Sequence, residues 1–218
     1  MSRRNVTLVA LAAMLALPTA AAQAQQVSLG LKGGINSATT TLVQQGADVG
    51  RRTGFHAGAI LALRTSPRFS VQLEGLYSQR GYRLTATGSD ATAKADYAQI
   101  PLVAVVRIPF TDASPVALRL LAGPTVAFEV SCKVAGTIEG NPVAVSCDDL
   151  GAERRKLDIG AVVGLGVDLD LHPATVFLTA AYDYGLRNLD SDPMSTSTLK
   201  HRTFAFSAGF LVPVFGRE

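Results

Sequence analysis

The chain contains no tryptophan, two cysteines and three histidines, and only 17% of its 218 residues are charged. Each shortage removes a class of explanation. Two cysteines cannot build a disulfide-dense scaffold or a four-cysteine zinc site. Charge below the roughly 25% of an average soluble domain leaves few solvating side chains, which argues against disorder and against a charged nucleic-acid binder. The net charge of +3 is partly terminal: without Arg3 and Arg4 there are 18 basic against 17 acidic groups. What the chain does have is 48% hydrophobic residues and 20 glycines. Its length suffices for one domain with a sizeable core, or one barrel.

The N-terminus reads as a targeting segment. Arg3 and Arg4 precede an uncharged, mostly apolar run from Val6 to Leu17, which Pro18 breaks. Ala22-Gln23-Ala24 then offers small residues at the positions a signal peptidase reads, so residues 1–24 are expected to be a secretory signal cleaved after Ala24. The run is shorter than the about 20 apolar residues of a membrane anchor. Ser2-Arg3-Arg4 hints at a twin-arginine signal, but the residues after it lack the rest of that pattern. Residues 25–218 are then the working domain, outside the cytoplasm.

Period-two alternation recurs throughout that domain, and no segment carries an apolar stripe at helical spacing. In Arg68–Ser78, Phe69, Val71, Leu73, Gly75 and Tyr77 share a face opposite Ser70, Gln72, Glu74 and Ser78. In Leu157–Leu169, Leu157, Ile159, Ala161, Val163, Leu165, Val167 and Leu169 oppose Asp158, Gly160, Gly164, Gly166 and Asp168. A serine at inward-facing Gly164 should be accommodated. Thr175–Arg187 alternates likewise, and Val27–Ile35, Gly54–Arg64, Tyr97–Ile108, Val116–Val130 and His201–Phe215 complete a set of eight strands. They are roughly 9 to 15 residues long, whereas globular strands average 5 or 6. Short connections at Ser66-Pro67, 112–114 and His172-Pro173 alternate with long ones at 37–53, 83–96, 132–156 and 188–200. The expectation is an all-β fold: a transmembrane, up-and-down antiparallel β-barrel of about eight strands with its termini on the short-turn, periplasmic side.

A soluble lipocalin-like barrel also alternates, with its apolar face inward. The polar face favours the membrane barrel: it is mostly Gly, Ala, Ser and Thr, which suits the crowded lumen of a small barrel better than water. The charges that share this face, Lys32, His56, Glu74, Arg107, Arg119, Glu129, Asp168 and Asp183, are expected to line the lumen. Glu74, Glu129, Asp168 and Asp183 should pair there with Arg107, Arg119 and Lys32, because an unpaired buried charge is costly. Phe55, Tyr77, Tyr97, Phe128, Tyr182 and Phe204 near the long loops, and Phe69, Phe110 and Phe215 near the short turns, would form two interfacial girdles. Pro101, Pro124 and Pro213 each lose a ladder donor and call for bulges or strand ends.

Several segments resemble the outer membrane protein β-barrel domain family, often labelled "porin family protein": GLKGGIN (Gly30–Asn36), GFHAG (Gly54–Gly58), LEGLYSQRGY (Leu73–Tyr82), YAQIPL (Tyr97–Leu102), LLAGP (Leu120–Pro124), DIGAVVGLGVDL (Asp158–Leu169), YDYGLRNL (Tyr182–Leu189) and RTFAFSAGF (Arg202–Phe210). The resemblance implies a barrel in a Gram-negative outer membrane. Its partners would be outer-membrane lipid and lipopolysaccharide, with the barrel assembly machinery and periplasmic chaperones during biogenesis, and no nucleic acid. It implies no demonstrated transport. Barrels of this kind commonly end on an aromatic residue, whereas Phe215 is followed by Gly216-Arg217-Glu218.

Enzyme chemistry finds little footing, and no catalytic, cofactor or metal residue is assigned. His172 in a short turn and His201 near a long loop should lie a membrane thickness apart. His201 could pair with Ser195 or Ser197 at the outer rim, as in outer-membrane lipid A deacylases, but reads more simply as a solvated rim histidine. Gly160–Gly166 (GAVVGLG) lacks the third glycine and following helix of a dinucleotide loop. Asp168 and Asp170 are too few for a calcium loop. The reading is a structural or interaction protein with a side-chain-filled lumen, at most slow solute passage and no cofactor. A secreted soluble barrel for a small apolar ligand and a lipid-modifying enzyme are its rivals. Cys132 and Cys147 both fall in the longest loop of a secreted chain, which predicts a disulfide that orders the loop rather than the barrel.

Overall fold

The structure, a computed structural model, describes residues 26–40, 48–86, 89–111, 113–138, 141–147, 149, 156–186 and 201–216. The signal segment lies outside the described residues, as do Arg187, Ser195, Ser197 and Lys200. The described chain forms nine strands: β1 (Gln26–Thr40), β2 (Asp48–Ser66), β3 (Phe69–Ala86), β4 (Ser89–Pro109), β5 (Val116–Ile138), β6 (Asn141–Ser146), β7 (Leu157–Leu171), β8 (Ala174–Gly185) and β9 (His201–Gly216). Eight of them pair antiparallel in the ring β1-β2-β3-β4-β5-β7-β8-β9, and β9 returns to β1. β6 stands outside the ring and pairs with the far end of β5.

Alternation makes the ring, because a period of two gives every strand one apolar and one polar face. The circuit Gln26, Arg64, Ser70, Val105, Leu121, Gly164, Ala181, Ala205 follows paired residues round the wall and comes back to β1 at Asn36, ten residues further on. That stagger tilts the strands and sets a bore just wide enough to be filled by side chains. Outward stand Leu29, Leu31, Leu73, Ile100, Val163, Leu165, Leu178 and Phe206, all exposed. The three short connections, at 67–68, between Pro109 and Val116, and at 172–173, gather at the end that holds Gln26 and Gly216.

At the opposite end the strands run further than alternation indicated. β3 and β4 pair without a break from Leu76↔Gln99 out to Ala86↔Ser89, so 83–96 is mostly ladder rather than loop. The segment 132–156 likewise contains β6, paired from Lys133↔Ser146 to Ile138↔Asn141. Beyond the apolar belt both faces of a strand are wet and side-chain alternation fades, but the backbone groups still need partners and the hairpins continue. Gly81 in this stretch has a φ of +144°, where a side chain would also meet the Ala93 carbonyl.

The prolines sit where pairing fails. The β3–β4 ladder skips Glu74–Gly75 opposite Ile100–Pro101, and the β4–β5 ladder skips Leu102–Val103 opposite Gly123–Pro124. Pro213 borders the register shift between Val27 and Ser28.

Candidate functional site

The lumen holds most of the buried polar chemistry, arranged in three groups along the axis. The first lies near the tight turns. β4 and β5 set Arg107 directly opposite Arg119, an arrangement that repels on its own. Asp168 from β7 resolves it: Arg107 Nε donates to Oδ2 at 2.6 Å and Arg119 Nη1 to Oδ1 at 3.3 Å. Arg107 Nη2 reaches Asp170 at 2.8 Å, and Arg119 Nη2 donates to Gln72 Oε1 at 2.6 Å. The Arg119 guanidinium also lies 4.6 Å from the Phe177 ring centroid, a cation–π contact. Asp168 is completely buried and Arg119 is 2% exposed.

The second group lies at mid-height. Lys32 Nζ meets Glu74 at 2.6 Å, Asn36 Nδ2 donates to Ser78 Oγ at 3.1 Å, and His56 Nε2 is 2.8 Å from Ser207 Oγ. The third lies toward the long hairpins. Arg80 meets Asp183 at 2.7 Å and Asp158 at 3.6 Å. Gln99 donates to Asp183 at 2.6 Å, and Tyr97 OH lies 3.2 Å from His201 Nε2. Arg52 closes this group from β2 by donating to the Arg80 carbonyl.

The expected lumen residues Lys32, Glu74, Arg107, Arg119, Asp168 and Asp183 therefore all point inward, but in separate groups. Asp183 takes Arg80 rather than Arg107 or Arg119. Glu129 stands half-buried at the far end of the lumen face, opposite Tyr97, with its amide bonded to the Lys156 carbonyl. Arg80, Asp158, Asp170, Gln72 and Gln99 complete the groups without having been assigned to them from sequence. Three further expectations are corrected. Tyr97 is 2% exposed and packs in the lumen under Arg80 instead of joining a girdle. His201 is buried against Tyr97 rather than solvated at the rim. The other girdle aromatics face outward, with Tyr182 half-buried. Gly164 does face inward, but a Cβ there would come within 2.8 Å of the Ala180 carbonyl oxygen, so a serine is not accommodated freely.

A cavity of about 50 Å³ remains beside the middle group, bounded by His56, Glu74, Leu76, Pro101, Val103 and Ser207 among others. Ligand sites usually measure about 300–1,000 Å³, so this space suits waters. The His56–Ser207 contact resembles a base and nucleophile, yet no described side chain bonds His56 Nδ1 to orient the ring. Among the described residues no cluster of three or more His, Cys, Asp or Glu could hold a metal ion. At the rim Cys132 and Cys147 are joined, their Cα atoms 5.5 Å apart, and the bond fastens the base of the β5–β6 hairpin.

A family model described as outer membrane protein beta-barrel domain matches residues 22–191. The fold is similar to Neisserial surface protein A, with a TM-score of 0.50 and 16% identity over 85% of this chain and 97% of that one. It is also similar to OprG from Pseudomonas aeruginosa, with a TM-score of 0.50 and 12% identity over 88% and 98%. Identities this low speak for the fold alone. No curated protein matches the sequence.

Proposed function

The chain belongs to the outer membrane protein β-barrel domain family, and from that premise we propose that it is an integral barrel of a Gram-negative outer membrane, sealed by its own side chains, with a structural or interaction role. The observation that carries the reading is the filled bore: Asp168 is fully buried between two arginines, and Arg80 is 2% exposed beside Asp183 and Asp158. Ions held this way need water excluded and partners fixed, which is the opposite of a conducting pore. The tight turns and both termini face the periplasm, and the long hairpins face outward to the surroundings. Residues 1–24 direct export, the barrel assembly machinery and periplasmic chaperones insert the chain, and lipid with lipopolysaccharide surrounds it. The role is not enzymatic, and solute passage is at most slow.

The test has two parts. The outer-membrane fraction should yield a band whose gel mobility shifts on heating, and the purified barrel in planar bilayers should give small or no conductance steps. A detergent-free soluble protein would favour the secreted-barrel reading. Large, stable, water-filled pores would overturn the sealed lumen.

A further inference from the structure

Beyond the aromatic pair Phe55–Tyr77, whose rings lie 5.8 Å apart, the outer surface of the wall turns basic. Arg51 of β2, Arg83 of β3, Lys94 of β4 and Lys133 of β5 are all exposed. The register sets Gly50 opposite Arg83 and Arg51 opposite Tyr82, beside a register shift in β2, and Arg51 joins the others by lining one groove with Arg52, Arg83 and Lys94. Arg83 pairs with Thr92, two residues from Lys94, and Lys94 faces Lys133 directly. With strands about 4.8 Å apart, the four cations span about 15 Å of wall. Like charges directly opposite destabilise a sheet, and none of the four makes an ion pair with a described acidic side chain. Asp96 is the carboxylate that shares this face, two residues nearer the aromatic band. Thr53 and Thr92 add hydroxyls to the same groove.

Height identifies the ligand class. Arg51 stands four residues beyond Phe55, which at about 3.3 Å per residue and a tilt of about 40° is about 10 Å above the aromatic band. That is the layer of charged headgroups, just outside the hydrocarbon. We propose that Arg51, Arg83, Lys94 and Lys133 dock the phosphorylated sugar headgroup of an outer-leaflet glycolipid. Its acyl chains continue down the exposed wall past Tyr77, Ile100 and Leu102. Arginine forks bind phosphate oxygens in pairs, and the bound anion offsets the Lys94–Lys133 repulsion. The site is continuous with the apolar wall rather than placed at a hairpin tip, which favours a membrane amphiphile over a soluble polyanion. The inference rests on the membrane orientation proposed above.

The mature barrel in detergent micelles tests it, with bisphosphorylated lipid A, the same lipid stripped of phosphate and a heparin fragment as probes, and native mass spectrometry as the readout. Wild type should bind bisphosphorylated lipid A saturably. With three basic residues removed, the Arg51→Gln/Arg83→Gln/Lys94→Gln variant should bind about a hundredfold more weakly. The Arg51→Lys/Arg83→Lys variant should keep most of the binding. Equal binding by the glutamine variant, or equal binding of the phosphate-free lipid, overturns the proposal. Tighter binding of heparin than of lipid A overturns it in favour of a soluble polyanion. The heat-induced gel shift is read on every variant. Its absence in wild type would sink the barrel reading itself, whereas a normal shift with phosphate-independent binding sinks only the docking face.

Discussion

Wall and lumen of this barrel have exchanged the usual places of oil and charge. On β7, Leu165 is 59% exposed while Asp168, three residues on, has no exposed surface at all. A soluble domain holds together chiefly by taking apolar area out of water. Here the outer face gives up little on that account, since lipid is as apolar as leucine. What fixes this structure is the closed ladder and the buried ion pairs, and the two faces should respond to substitution in opposite ways.

The largest expected effect is inside. Asp168→Ala strands Arg107 and Arg119 opposite each other and should cost about 3–5 kcal/mol, read as a lowered urea midpoint for unfolding in micelles. A midpoint near wild type would mean the lumen ions are solvated and not interdependent. Outside, Val163→Arg should cost about 2–4 kcal/mol in liposomes at mid-bilayer depth, while Val163→Leu should be nearly silent. Equal behaviour of the two would place Val163 elsewhere than against lipid. The smallest effect on the barrel is expected from Cys132→Ala. Closing the loop between the cysteines is worth about 3 kcal/mol in the chain-entropy model, but that energy belongs to the β5–β6 hairpin. Limited proteolysis should cut the β5–β6 hairpin more readily in the variant while the folded gel band persists. Loss of that band would tie the disulfide to the barrel.

The ring of eight strands and its two faces could be read directly, because lipid outside and a narrow bore inside both enforce the period of two. The errors come from the ends of that pattern. Arg80 has the parity of Glu74 and Ser78, and Tyr97 that of Arg107. His201 has the opposite parity to outward Phe204 and Phe206. Carrying the alternation two residues past Ser78 would have put Arg80 in the lumen, and holding it to the first residues of Tyr97–Ile108 and His201–Phe215 would have put Tyr97 and His201 there too. It stops being visible there because both faces of a strand become polar outside the hydrocarbon. Which carboxylate meets which arginine was not legible at all. Pairing across the bore depends on the ten-residue stagger, which puts Arg80 of β3 within reach of Asp183 on β8, and no local pattern encodes that distance. Crowding at Gly164 is likewise set by the approach of β8.

A hydrogen-bonded ring carries lateral pressure as a hoop carries tension, and a hoop is only as stiff as its poorest joint. At the height of Pro101 and Pro124 two adjacent joints lack ladder pairs. The second is held by contact instead, Gly123 lying so close to the Leu102 carbonyl that a single added methyl would collide with it. Load passing round the circumference at this height crosses from β3 through β4 to β5 where two residues of each strand in the pair lack ladder partners, so side-chain packing takes a larger share of it. The wall is therefore anisotropic at this depth, where the arc of these three strands has fewer ladder pairs than the rest of the ring.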